Sequence, residues 1–221
     1  MLSLLNYSFR KKMVLQVLPA EEADIYRSAV LEHEAYKPLD TNRILFPGPF
    51  PPDVLEHRAN ELKAQSKEPN TFCYKVIDTE LEGEQTISFA KWVVYDGTNP
   101  PKPRPQRQWP PGINGEACEL LFGGMTKLKE RVMGDRKHLY MHLLHTDPKY
   151  QGRGAGGILT SRAIEEAAKR GLPAYLESSE AAHQLYLKHG FKDLEELVTD
   201  FGKWGLESPH RVWAMIHDHS A

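Results

Sequence analysis

Four glycines occupy six consecutive positions in Tyr150-Gln151-Gly152-Arg153-Gly154-Ala155-Gly156-Gly157. A backbone without Cβ atoms lets a ligand approach it closely. Upstream, His138–Thr146 (HLYMHLLHT) has the length and apolar density of a buried strand. Downstream, Leu159, Ala163 and Ala167 fall on one face of a helix over Ile158–Arg170, with Arg162, Glu165, Glu166, Lys169 and Arg170 mostly elsewhere. Strand, glycine loop and helix start together aim unsatisfied N–H groups and the positive end of a helix dipole at one spot. The chemistry is anion binding, with a phosphate or pyrophosphate as the natural guest. His142 and His145 lie on the strand that feeds this loop. Three apart on a regular strand, they face opposite ways and make a poor metal pair, and His142 shares a face with Leu144 and Thr146. Cys73 and Cys118 show no metal-ligand spacing, so no metal site is expected.

Two phosphate-binding patterns fit the loop unequally. Gly152-x-Gly154-x-x-Gly157 matches GxGxxG, and Glu177 stands 20 residues beyond Gly157 at the end of the next apolar run. A dinucleotide fold, however, sets its glycines directly after the first strand, whereas residues 147–151 intervene here, and too little chain follows for the further βα units. The P-loop pattern fails, because no Gly-Lys-Ser/Thr is present. The second pattern, Gln151-x-x-Gly154-x-Gly156, preceded by Leu144-His145-Thr146-Asp147-Pro148, resembles the Q/R-x-x-G-x-G/A signature of the GNAT superfamily of acyl-CoA N-acyltransferases. Leu185-Tyr186-x-x-x-Gly190-Phe191 is similar to that superfamily's closing L-Y-x-x-x-G-F motif. The matching segments cover about residues 139–192, and their order and spacing are specific to the superfamily without specifying a substrate.

The resemblance implies an acetyl-CoA-dependent N-acetyltransferase that moves the acetyl group directly to an amine, with no acyl-enzyme. It implies that Gln151, Gly152, Arg153, Gly154, Ala155, Gly156 and Gly157 grip the CoA pyrophosphate, with Lys149 adding charge at the edge. It also implies that Leu144, His145 and Thr146 run beside the pantetheine arm, and that a backbone N–H of that strand polarises the thioester carbonyl. Tyr186 is then the proton donor to the leaving thiolate. Ser179, with Ser178 at the start of the next helix, joins the cofactor residues. For the base, His142 ranks first, with His145 and Glu119 as the other candidates. Glu32, His33, Glu34, Tyr36 and Phe46 are acceptor contacts by the same resemblance. The alternative is a non-catalytic acyl-CoA-binding or sensor module of the same fold.

The elements that must position these residues follow in order. Met13–Leu18 reads as a strand. Pro19-Ala20-Glu21-Glu22 opens a helix reaching Tyr36, Lys37–Pro52 is a loop, and Asp53 caps a helix to about Lys67. Thr71–Asp78 and Thr86–Tyr95 form a hairpin about Glu82-Gly83-Glu84. Thr98–Gly112 is a proline-rich excursion with Lys102, Arg104 and Arg107, excluded from helix and sheet interior. Glu116–Met133 is an extra helix, weakened at Gly123-Gly124 by about 1 kcal/mol per glycine. Pro173–Ser179 is a strand and Glu180–His189 a short helix ended by Gly190. Glu195–Asp218 holds two closing antiparallel strands, about Val198-Thr199-Asp200 and Arg211–His217. The expected fold is α/β (α+β): a GNAT-like mixed, mostly antiparallel sheet flanked by helices, as a single domain over residues 1–221 with an insertion at 98–136.

Composition bounds the function classes. At 221 residues, 40% hydrophobic and 26% charged, the chain has enough material for one core. A net charge of −2 offers no electrostatic case for nucleic acid or an anionic membrane. No stretch has the ~20 apolar residues of a membrane span. Met1–Phe9 is followed by Arg10-Lys11-Lys12, the reverse of a secretion signal, and leaves room only for weak organelle targeting. Two free thiols then suit a reducing, cytoplasmic setting. The expected partner is a small-molecule or peptide amine, and the superfamily's habit of pairing is compatible with a homodimer.

Overall fold

The computed structural model describes residues 14–83, 85–98 and 109–218. The first thirteen residues, Glu84, the proline-rich run 99–108 and residues 219–221 lie outside the described residues, and with them Met13, Lys102, Arg104, Arg107 and His219. Seven strands make one sheet: β1 (Leu15–Pro19), β2 (Thr71–Asp78), β3 (Thr86–Tyr95), β4 (His138–Thr146), β5 (Ala174–Ser179), β6 (Lys192–Thr199) and β7 (His210–His217). Their order is β1-β2-β3-β4-β5-β7-β6. Every neighbouring pair is antiparallel except β4 and β5, which the crossover through a helix makes parallel.

The helices divide between the two faces. α1 (Ile25–Tyr36) and α3 (Val54–Ser66) cover one face of the β1–β4 half, burying Ile25, Ala29, Ala59 and Leu62 against Phe89. The loop between them carries a short α2 (Asp40–Leu45), which the prolines around it had hidden as irregular chain. On the other face lies α6 (Ala155–Lys169), whose Ala155, Leu159, Ala163 and Ala167 are buried against Trp92, Leu139 and Met141. α7 (Glu180–Lys188) follows β5 and adds Tyr186 to the same cluster.

The extra helix is present as α4 (Gly115–Cys118), a π-helical turn (Glu119–Gly123) and α5 (Gly124–Met133). The expected weak point is where the i→i+5 pattern appears, just ahead of the paired glycines. Leu128 and Met133 pack on Tyr140, Tyr175 and Ile216, so α5 lies on the α1 side, over the second half of the sheet. Strand β6 begins at Lys192, earlier than expected, because its outward residues are too polar to show as a buried run; Lys192, Asp193 and Leu194 are all exposed.

One irregularity organises the centre. Along β3 and β4, Lys91 pairs with Leu143 but Trp92 pairs with Met141, so His142 is an extra residue on β4. A bulge changes which face each later side chain takes. Leu139 and Met141 face α6, yet beyond the bulge Leu144 joins that side while Leu143 and His145 turn toward α1 and α3. His142 lies with its ring 5.3 Å from Tyr140, on the α1 and α5 side. The expectation that His142 and His145 face apart, with His142 beside Leu144 and Thr146, fails for this reason: strand alternation holds only for a strand without an insertion.

Candidate active site

Strands β4 and β5 are paired only at Leu139–Ala174 and Tyr140–Tyr175. Beyond Tyr140 the β5-side edge of β4 has no strand partner among the described residues, although its other edge stays paired to β3 as far as Ser88–Thr146. The result is a wedge-shaped gap that opens at the bulge and ends at the glycine loop.

The loop is tied down at several points. Asp147 accepts the N–H of Lys149 at 3.0 Å and pairs with Arg27 of α1 at 2.8 Å. Gln151 donates through Nε2 to the Thr146 carbonyl at 3.2 Å, and Thr146 shares a hydroxyl contact of 2.8 Å with Ser88. Gly152 and Gly154 have φ of 74° and 95°, and open space surrounds both. They are glycines for backbone conformation, and they leave the approach to the α6 N-terminus clear. The other two glycines serve packing: a Cβ on Gly156 would meet Leu144 and Leu185 at 3.4 Å, and one on Gly157 would meet His189 at 3.2 Å. Arg153 reaches back to the buried Asp78 at 2.6 Å, so its charge anchors the loop to the end of β2 as well as standing at its edge. Ala155 is buried in the first turn of α6.

Of the expected site residues, Tyr186 lies in the core cluster against which Leu144 of β4 packs. It is buried, edge-on to Phe191 with ring centroids 5.7 Å apart. Burial, reinforced by Tyr36, raises its pKa, so the phenol holds its proton at neutral pH. Tyr36 ends α1 on the opposite face, and its own pKa is pushed up to about 12 by desolvation and the charge of Glu32. Ser179 sits at the start of α7 in extended conformation without a side-chain cap bond, while Ser178 donates to the Ser179 carbonyl at 2.8 Å.

The structure separates the base candidates. His145 is buried, stacked on Phe89 with centroids 5.5 Å apart and 3.2 Å from the Ser28 hydroxyl through Nε2. Burial pulls its pKa down to about 4, which makes it a packing residue beneath α1. Glu119 lines a cleft between the π turn and β6 with Leu120, Val198 and Trp204, two strands away from the gap. His142 is exposed beside Tyr140. Glu32 is held by Arg58 of α3 through two bonds of 2.8 Å, while His33 and Glu34 point to solvent. Phe46 packs with Leu45, Trp109 and Phe122 in the cluster under α4. Cys73 has a thiol pushed up to about 11 by burial, and Cys118 is buried beside the Leu45 carbonyl, so neither is a ready nucleophile.

Sequence reasoning missed the polar group on the α5 side of the gap. Tyr175 and Glu177 alternate on β5, so both face α5, and the Tyr175 hydroxyl donates to Glu177 Oε1 at 3.0 Å. The Tyr140 hydroxyl also interacts with this carboxylate. The signal was present as tyrosines and a glutamate at period two on neighbouring strands, but it has meaning only once Tyr140 and Tyr175 are known to be a register pair.

Residues 112–191 match the sequence profile of the acetyltransferase (GNAT) family. This segment, a little over a third of the chain, is similar to the GNAT acetyltransferase domain. A curated relative, an uncharacterized N-acetyltransferase of Schizosaccharomyces pombe, is 29% identical over 97 residues, which is 42% of this chain and 41% of the relative. The chain therefore matches less than half the length of that protein. The GNAT fold extends further than the sequence match. A Corynebacterium glutamicum structure described as histone acetyltransferase HPA2 and related acetyltransferase superposes with TM-score 0.58 at 20% identity, over 95% of this chain and 98% of that one. The C-terminal condensation domain of Ebony, solved with beta-alanyl-dopamine, gives TM-score 0.65 at 14% identity, over 92% and 99%. No helix among the described residues is long and apolar enough to cross a membrane, and these residues hold no cluster suited to a metal ion.

Proposed function

We propose that the chain transfers an acetyl group from acetyl-CoA directly to a primary amine. The observation that carries this reading is the gap itself: β4 parts from β5 after Tyr140, and the glycine loop lies at its end. In this reading the pantetheine arm adds to the unpaired edge of β4 through Leu144, His145 and Thr146, as an extended segment joins a sheet. The amides of residues 151–157 and the start of α6 take the pyrophosphate. A backbone N–H of β4 polarises the thioester carbonyl. The amine nitrogen attacks the carbonyl carbon, the C–S bond breaks, and Tyr186 gives its proton to the departing thiolate. The acceptor is a small molecule or a peptide that enters from the α1 and α5 side.

Calorimetric titration of acetyl-CoA into wild type and Gly154→Trp tests the loop, with NADH as the control. Micromolar binding that the variant loses, with no NADH signal, is expected. A folded wild type that ignores acetyl-CoA overturns the reading, and one that binds it but turns over no amine is a sensor module instead.

A further inference from the structure

Glu177 lies two residues past Tyr175, the last β5 residue paired with β4, at the mouth of the gap and on its α5 side. It is half-buried at a sheet position where an ionised carboxylate is costly unless hydrogen-bonded. Two phenols meet that need: Tyr175, wholly buried, donates at 3.0 Å, and Tyr140 approaches from β4. The same phenolic surface already holds an ammonium, since Lys129 Nζ of α5 stands 3.8 Å from the Tyr140 ring centroid and 4.1 Å from that of Tyr95. The remaining titratable neighbours are His138 and His142 on β4 and Glu195 on β6.

We propose that Glu177 receives the acceptor's ammonium group and takes its proton, with Tyr140 and Tyr175 holding the carboxylate at the gap. The assignment rests on the acetyl-transfer reading above and deepens it: the acceptor is a primary amine that arrives as a cation. A lysine-like amine is neutral in roughly one molecule in 2,500 at pH 7, a cost of about 4.6 kcal/mol. As the nitrogen bonds to the carbonyl carbon its remaining N–H protons become acidic. The ammonium gives up two protons in all: one passes through Glu177 to water, and the other replaces, through solvent, the proton that Tyr186 gives to the thiolate, so the balance is acetyl-CoA plus ammonium giving amide, CoA thiol and a proton. The other candidates lack this placement: Glu32 is clamped by Arg58, and His145 is sealed under α1.

The test is the pH–rate profile of Glu177→Gln against wild type, from pH 6 to 10. Acetyl-CoA is the donor, and n-butylamine, 1,4-diaminobutane, phenethylamine and lysine amide are the acceptors. Glutamine keeps a carbonyl oxygen to accept from Tyr175 and an amide that can donate to a phenol oxygen, so a merely structural Glu177 would leave the profile unmoved. The expected result is a kcat/KM at least about 100-fold lower at pH 7. The deficit should narrow toward pH 10 as the amine deprotonates unaided, with acetyl-CoA affinity unchanged. Rates within threefold of wild type across the range overturn the assignment while leaving acetyl transfer intact. Wild type that acetylates none of the amines sinks both. Should Glu177→Gln fail to bind acetyl-CoA, Glu177→Asp decides: about a tenfold loss with the wild-type pH limb supports the role, and an unaltered rate overturns it.

Discussion

Tyr186 shows how one residue can be read for chemistry only after its packing is known. Its ring is part of the hydrophobic cluster beneath α6, and its hydroxyl is the part that can act. Tyr186→Phe keeps the ring contact with Phe191, so the fold and acetyl-CoA affinity should hold to within about threefold. Loss of a positioned proton donor costs 10²–10⁴ in favourable cases, so kcat is expected to fall by about 100-fold. Single-turnover rates beside equilibrium binding check this, and wild-type turnover would remove the proton-donor role. His142 and Glu177 make the complementary pair. The sequence ranks the histidine and leaves the glutamate unexplained, yet the carboxylate is the group that two buried phenols hold at the gap. His142→Ala is therefore expected to lower kcat/KM less than Glu177→Gln when the two are assayed side by side.

At the scale of elements, the decisive contacts are between α6, α7 and β4. The first turn of α6 lies close enough to α7 that Gly157 has the His189 ring where a Cβ would go, and His189 in turn bonds the Leu185 carbonyl at 2.8 Å. Gly157→Val adds an isopropyl group to that contact. The expected outcome is a loss of about 1–3 kcal/mol in urea denaturation, the usual range for overpacking, together with weaker acetyl-CoA binding as the α6 N-terminus moves from the loop. Unchanged stability and affinity would mean that α6 and α7 are not coupled there. Gly152 and Gly154 carry a different requirement, since their positive φ and clear surroundings concern the backbone path alone. The motif spacing makes all four glycines look alike, and only the neighbours divide them into two for conformation and two for close approach.

At the scale of the whole molecule, the sheet interior carries two buried imidazoles that act on global stability. His138 donates through Nδ1–H to the Arg136 carbonyl and stacks on Tyr95, and His145 lies under α1. Burial pulls both pKa values from 6.5 to about 4. The unfolded chain therefore takes up protons below about pH 6.5 that the folded chain refuses until about pH 4. Stability is full above the higher value and falls as pH drops between the two, by on the order of 3 kcal/mol for each histidine. Thermal unfolding followed from pH 7.5 to 4.5 should show Tm declining through that window, and a flat profile would refute it. The sequence by itself determined the order of strands and helices, the anion-binding loop and the tyrosine of the closing motif. These are written in local periodicity and in glycine spacing, which need no knowledge of distant residues. Only the tertiary structure decided which side chains meet at the gap. The extra residue on β4 reverses the facing of everything after it, and register across strands far apart in sequence brings Glu177 to Tyr140. Local pattern carries neither fact, because a bulge and a register are properties of two strands together.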